Sequence, residues 1–199
     1  MVVKADQPDP STIDLEAMPH WRCSSERYLE LIGSGEIGPG DKIELINGMV
    51  TAMSPAGPEH DYAIMQLHEL LIPLIPRYRV INQSTIHLDE GQIFDPDIAV
   101  LKRRDGDAYK HQHPGADDIL LIIEVAASSM KRDAQVKMPI YAQAGIPEYW
   151  VADIENRMLI VHRDPTDNGY GLIQKFSGDT LVEPISVSGL SITPISIFA

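Results

Sequence analysis

Cysteine is almost missing from this chain. Cys23 stands alone, so an intrachain disulfide framework is excluded and a reducing cytoplasm is the expected setting. With no CxxC pair, a thiolate zinc site is excluded as well. Long apolar stretches are absent too: the uncharged run Ile119 to Ile123 is far too short to span a bilayer. The first ten residues, MVVKADQPDP, lack the apolar core that a signal peptide carries. Positive charge is scarce. Sixteen Lys and Arg face 29 Asp and Glu, for a formal net charge of −13. A protein that coats nucleic acid through its overall field needs the opposite balance, because phosphate binding relies on Lys and Arg displacing counterions. A local basic strip or a metal-bridged phosphate stays open, and a surplus of carboxylates is what a divalent-cation site requires.

What is present fits one folded domain. The chain has 199 residues, 44% hydrophobic and 23% charged, close to average globular usage. Residues 1–19 carry Pro8, Pro10 and Pro19 with little periodicity and read as a flexible arm. Residues 20–199 read as a single domain. Ser24-Ser25 can cap a helix whose apolar stripe is Tyr28, Leu29, Leu31 and Ile32, stopped by Gly33 and Gly35. Two β-type runs meet at Asn47-Gly48, the strongest short hairpin signal. Pro58 to Ile75 has helical spacing, with Pro73 and Pro76 at its exit. Short strands are predicted at Tyr78–Asn82, Thr85–Leu88 and Pro96–Leu101, then a long polar surface loop from Arg103 to Asp118. The isoleucine-rich run Ile119–Val125 reads as a central strand buried on both faces. A helix from Ser128/Ser129 to Ala144 contains Pro139, which predicts a kink or an early break. A meander follows at Glu148–Ala152, Met158–His162 and Tyr170–Phe176. The alternating tail, Leu181–Ala199, reads as an edge strand or a covering arm, which predicts a homodimer or a tail tucked against its own sheet. The class is mixed α/β, a mainly antiparallel sheet with helices on both sides.

Two carboxylates stand out. Asp97 opens a strand, and Glu124 interrupts the most apolar strand of the chain. Burying a lone carboxylate costs several kcal/mol, so Glu124 needs a partner. A hard divalent cation is one such partner; a surface Lys or Arg at an exposed strand end is the other, and Glu124 alone does not choose between them. Glu124 and Ala126 share a strand face, because side chains alternate with a period of two. Asp133 and Lys137 lie at i and i+4 on the next helix. By spacing alone, that pair reads as an exposed helix ion pair. Other features read as bland. Tyr149-Trp150 suits a core strand, and His111-x-His113 a solvated loop. Lys102-Arg103-Arg104, the clearest basic cluster, suits either a solvated strand end or a contact to a DNA backbone.

These residues, taken in order, carry a resemblance. Asp97, Glu124-Val125-Ala126, Ser128-Ser129, Asp133, Lys137, Tyr141 and Gly145-Ile-Pro-Glu-Tyr-Trp-Val-Ala-Asp153 resemble the Uma-type restriction-endonuclease family, within the PD-(D/E)XK nuclease superfamily. Glu44-Leu-Ile-Asn-Gly48, Met53-Ser-Pro55 and His60 resemble its N-terminal half. The resemblance covers roughly residues 25 to 165 and implies a restriction-endonuclease-like mixed sheet flanked by helices. It implies Mg²⁺, with Mn²⁺ as a substitute, held by Asp97, Glu124 and the Val125 carbonyl. It implies DNA as substrate. The superfamily lysine two residues after the Glu is here Ala126, and the resemblance moves that role to Lys137. Glu44 and His60 match polar family positions that complete the metal shell or handle a proton. Solvent exposure on the hairpin for Glu44, and local capping for His60, are the plainer alternatives. Two functions follow: a Mg²⁺-dependent endonuclease with Asp97, Glu124, Lys137, Glu44 and His60 at its site, or a catalytically silent binding module on a nuclease scaffold.

Overall fold

The computed structural model describes residues 22–38, 40–53, 55–106, 108–126 and 133–198. The expected arm and the Ser128/Ser129 helix start lie outside the described residues. The strands run in chain order as β1 (Ile43–Ile46), β2 (Met49–Ala52), β3 (Arg79–Asn82), β4 (Ile86–Asp89), β5 (Gln92–Phe94), β6 (Ile98–Leu101), β7 (Ile119–Ala126), β8 (Glu148–Asp153), β9 (Met158–Thr166) and β10 (Gly169–Ser177). The α-helices are α1 (Ser25–Ser34), α2 (Pro58–Leu71), α3 (Ala108–His111), α4 (Met138–Gln143) and α5 (Pro194–Phe198).

The strands form two sheets, not the single one that the strand signals suggested. A six-stranded mixed sheet has the order β10-β9-β8-β7-β6-β3, and an antiparallel four-stranded sheet has the order β2-β1-β5-β4. The small sheet was hidden because β5 is only three residues long and follows directly on the turn at Gly91. Asn47 (φ 51°) and Gly48 (φ 73°) make the hairpin turn with positive φ twice. Gly48 donates its N–H to the Gly91 carbonyl, and a Cβ at Gly91 would stand 2.8 Å from the Gly48 nitrogen. Two turns therefore touch backbone to backbone, where only glycine fits.

β7 lies inside the large sheet, antiparallel to β6 and parallel to β8. From Leu121 onward its side chains sort by parity; at Ile119 a register shift against β6 reverses the alternation. Leu121, Ile123 and Val125 join α2 and the tail in one core, while Ile119, Ile122 and Ala126 join α4, the small sheet and Tyr149 in a second. Tyr28 of α1 covers the far side of the small sheet with Leu45 and Ile93. Ser24 caps α1, accepting from the Arg27 N–H, and Gly35 (φ 79°) ends it.

The predicted helix over 128–144 is broken where Pro139 requires it. Asp133–Lys137 is a π-helical turn, and α4 begins at Met138 with Pro139 in its first turn. Proline has no N–H to donate and clashes with the carbonyl four residues back, so a wider turn precedes it. The surface loop from Arg103 holds α3 and a 3₁₀ turn at Ala116–Asp118, and it ends with Asp118 buried. The tail is a covering arm rather than an edge strand. A single bridge pairs Val182 with Ile192, and Val182, Val187, Leu190, Ile192 and Ile197 sink into the α2 core. Glu148, fully buried, fastens it: Oε2 accepts from the Ile185 and Ser186 N–H groups, and Oε1 from Arg163 and Trp150.

Candidate active site

The β6–β7 register builds the site. Ile98 opposes Ile123, so the next rung outward sets Asp97 against Glu124. By parity both carboxylates leave the sheet on the side of Ala99, Ile122 and Ala126. Asp97 donates its backbone N–H to Glu124 Oε2 at 3.2 Å, and the Val125 N–H donates to Asp97 Oδ2 at 2.8 Å. Asp97 and Glu124 are only 6% and 4% exposed. An exposed strand end for Glu124 is therefore overturned.

A cation from α4's preceding turn closes the site. Lys137, 4% exposed, donates from Nζ to Glu124 Oε1 at 3.0 Å and to Glu44 Oε1 at 2.9 Å. The exposed Asp133–Lys137 pair suggested by spacing does not describe Lys137. The π-helical turn and the packing of Ile140 and Tyr141 against the sheet face that holds Ala126 bring it to Glu124. Glu44 does not face solvent. Leu45 turns to α1 and the flanking Glu44 turns to the large sheet, 1% exposed. His60 is not a cap either: Gly57 holds the N-cap of α2, and His60 Nε2 lies 3.1 Å from Asp97 Oδ2.

Three further residues belong to this cluster. The Tyr141 hydroxyl donates to Glu124 Oε1 at 3.0 Å, Gln83 Nε2 donates to Asp97 Oδ1 at 3.3 Å, and the Asp95 N–H donates to Glu44 Oε1 at 3.3 Å. Tyr141 had a signal, since it follows Lys137 at i+4. Gln83 had none, because its role depends on the β3–β6 register. Its φ of 41° is unusual for a residue with a Cβ, and its N–H donates to the carbonyls of Pro96 and Asp97.

The electrostatics follow from burial against partners. Burial pushes the Asp97 carboxyl up, but His60, the Val125 N–H and Gln83 outweigh it and hold Asp97 below the ordinary carboxylate range. The hydrogen bond to Asp97 raises His60 above the usual imidazole value, against burial. Burial raises Glu44, and Lys137 only partly offsets this. Burial also raises Asp95, with Thr85, His113 and Lys137 pulling it back. Tyr141 is driven well up by burial and then by Glu124, so it stays a donor.

Hard oxygen donors dominate the cluster. Glu44 Oε2 is buried without a hydrogen-bond partner among the described residues, an unsatisfied acceptor of the kind that a cation or a water takes up. Among the described residues no three His, Cys, Asp or Glu side chains are arranged around one point as a metal site. The set expected from the sequence uses two carboxylates and a carbonyl, and its chemistry fits a hard divalent cation. His111 and His113 are exposed, and Tyr149 and Trp150 are core.

With this geometry in hand, the relatives are informative. A profile of the Uma2 family, described as "Putative restriction endonuclease", matches residues 25–195. The chain belongs to this family. The crystal structure of "a putative nuclease belonging to DUF820" from Anabaena variabilis superposes with a TM-score of 0.65 at 17% identity, over 87% of this chain and 96% of that one. No curated protein matches the chain. The Uma2 fold, a mixed sheet with an accessory antiparallel sheet and flanking helices, is thus shared with a solved structure. No helix among the described residues is long and apolar enough to cross a membrane.

Proposed function

We propose that this Uma2 protein is a cytoplasmic endonuclease that hydrolyses DNA phosphodiester bonds with Mg²⁺, or Mn²⁺ in its place. The observation that carries the reading is Lys137 Nζ standing 3.0 Å from Glu124, on the strand face that Glu124 shares with Ala126. The superfamily's acid pair and its cation are then present together, although the cation comes from another element. Asp97, Glu124 and the Val125 carbonyl would hold the metal. When bound, it supplies neutralisation of the anionic phosphate oxygens and polarisation of the phosphorus centre. Lys137 stabilises the negative charge that builds as water adds to phosphorus and the leaving oxygen departs. His60, fixed by Asp97, is placed to exchange a proton with water. Gln83 and Tyr141 hold the two carboxylates in position. A homodimer would use the tail side chains left exposed, Leu181, Ile185 and Ile195, and light scattering reads it.

The test is cleavage of plasmid and single-stranded DNA with Mg²⁺ or Mn²⁺, with chelator and Asp97→Ala controls. Cleavage that needs both the metal and Asp97 is expected. Cleavage that survives either control overturns the assignment. A second reading, a silent binding module, is favoured by one observation: Lys137, His60 and backbone N–H groups already satisfy much of the acid pair. DNA binding with no cleavage under either metal would establish that reading.

A further inference from the structure

The net charge of −13 poses a problem for any DNA substrate, since phosphate and protein repel at long range. One cleft departs from this balance. It encloses about 450 Å³ and is lined by Arg79, Arg104, Lys110 and His113, with Ser84 and Thr85 as hydroxyl donors. None of its described lining residues is Asp or Glu, in a chain with 29 of them. Asp118 lies behind the wall, where it pairs with Arg104 and accepts from Tyr109.

The cleft lies on the same sheet face as the candidate active site. Arg79 opposes Leu101 and Ile81 opposes Ala99, so both share the sheet face from which Asp97 projects. Gln83, which holds Asp97, is followed directly by Ser84 and Thr85. His113 acts electrostatically on Asp95, which bonds Glu44. Among the described residues β3 is the edge strand of the sheet, and no further strand pairs with it. Arg79 precedes Gln83 by four residues, at most about 13 Å along the chain. A DNA strand rises about 3.4 Å per nucleotide, so this is the span of roughly four nucleotides.

We propose that the cleft along β3, with Arg79 and Lys110 at its rim, binds the sugar-phosphate backbone of the DNA strand that enters the Asp97–Glu124 centre. This rests on the nuclease reading and names the part of the surface that recognises its substrate. The contacts are to phosphate and carry no base information, so binding is insensitive to sequence.

The experiment measures binding of short fluorescein-labelled DNA, single-stranded and duplex, by anisotropy across a salt series. Ca²⁺ replaces Mg²⁺ to suppress turnover. The proteins are the full chain, Arg79→Gln/Lys110→Gln, Asp97→Ala, and Lys175→Gln as a control on β10 at the opposite sheet edge. The double variant is expected to bind more weakly. Its slope of log affinity against log salt should fall by about 0.7 per lost contact on single strands and about 0.9 on duplex. Lys175→Gln should match the full chain. Both rim residues are exposed, and the melting temperature of each variant separates lost contacts from lost fold. An unchanged affinity and slope in the double variant overturns the cleft assignment, as does a full chain that binds no DNA. If that happens while Asp97→Ala still abolishes cleavage, the nuclease reading stands alone. If the rim variants lose binding but the full chain never cleaves, the cleft stands and the nuclease reading falls.

Discussion

Lys137 and Glu44 are 93 residues apart in sequence and 2.9 Å apart in space. One ammonium joins the small sheet to the large one, because the same Nζ also bonds Glu124 on β7. All three side chains are at most 5% exposed. Removing the cation leaves two buried carboxylates facing each other, and breaking such a pair costs about 3–5 kcal/mol. Lys137→Ala should therefore lower the urea midpoint sharply as well as abolish cleavage. Lys137→Met with Glu44→Gln should recover part of the stability but none of the cleavage. Full recovery of cleavage in the double variant would remove Lys137 from the chemistry.

Gln83 tests positioning without substitution of either member of the acid pair. Its amide bonds Asp97 Oδ1, and its φ is 41°. Gln83→Ala and Gln83→Gly lose the amide alike, so both should lower kcat by roughly tenfold to a hundredfold with little change in KM. Glycine relieves the backbone strain, so it should be the more stable of the two by about 1 kcal/mol in urea unfolding. Equal kcat in both variants and the natural protein would show that Asp97 needs no help from Gln83.

Glu148 tests the tail. Four donors converge on its fully buried carboxylate, two of them the Ile185 and Ser186 N–H groups. Glu148→Ala leaves Arg163 and those N–H groups without their acceptor and should cost about 3 kcal/mol or more. Amide exchange at Ile185 and Ser186 should accelerate before the rest of the sheet. Exchange that rises evenly across the chain would show that the tail is held by its apolar contacts alone.

His162 gives a pH dependence away from the candidate site. It is 5% exposed, stacks on Tyr149 and donates from Nδ1 to the Tyr149 carbonyl. Burial lowers its affinity for a proton, with that carbonyl acting in the opposite direction. The folded value is therefore depressed below the unfolded one, about 6.5. Above that pH both states are neutral and the contribution is whole. As pH falls through it, the unfolded chain gains a proton that the folded chain refuses, and stability declines. Melting temperature should drop more between pH 7.5 and 5.5, roughly the window set by that value, in the natural protein than in His162→Phe. Parallel curves would place the acid sensitivity elsewhere.

The sequence by itself determined what neighbouring residues can encode. Ser24 and Gly35 bound α1, Asn47-Gly48 turns the first hairpin, Ile119–Ala126 makes a buried strand, and Pro139 breaks a helix. Each follows from a rule that acts within a few residues: a cap, a positive φ, a period of two, a missing N–H. The shared face of Glu124 and Ala126 was legible for the same reason. Tertiary structure alone decided which of these meet. The β3–β6–β7 register sets Gln83, Asp97 and Glu124 side by side, and a one-residue slip would have turned them to the other face. The fold of the small sheet against the large one turns Glu44 inward, although a hairpin glutamate reads locally as solvated. The tail's alternation reads as strand, yet Glu148 and the α2 core claim it. Sequence signals decay over a helical turn or a strand, whereas these contacts span 14 to 93 residues and exist only once both partners have packed.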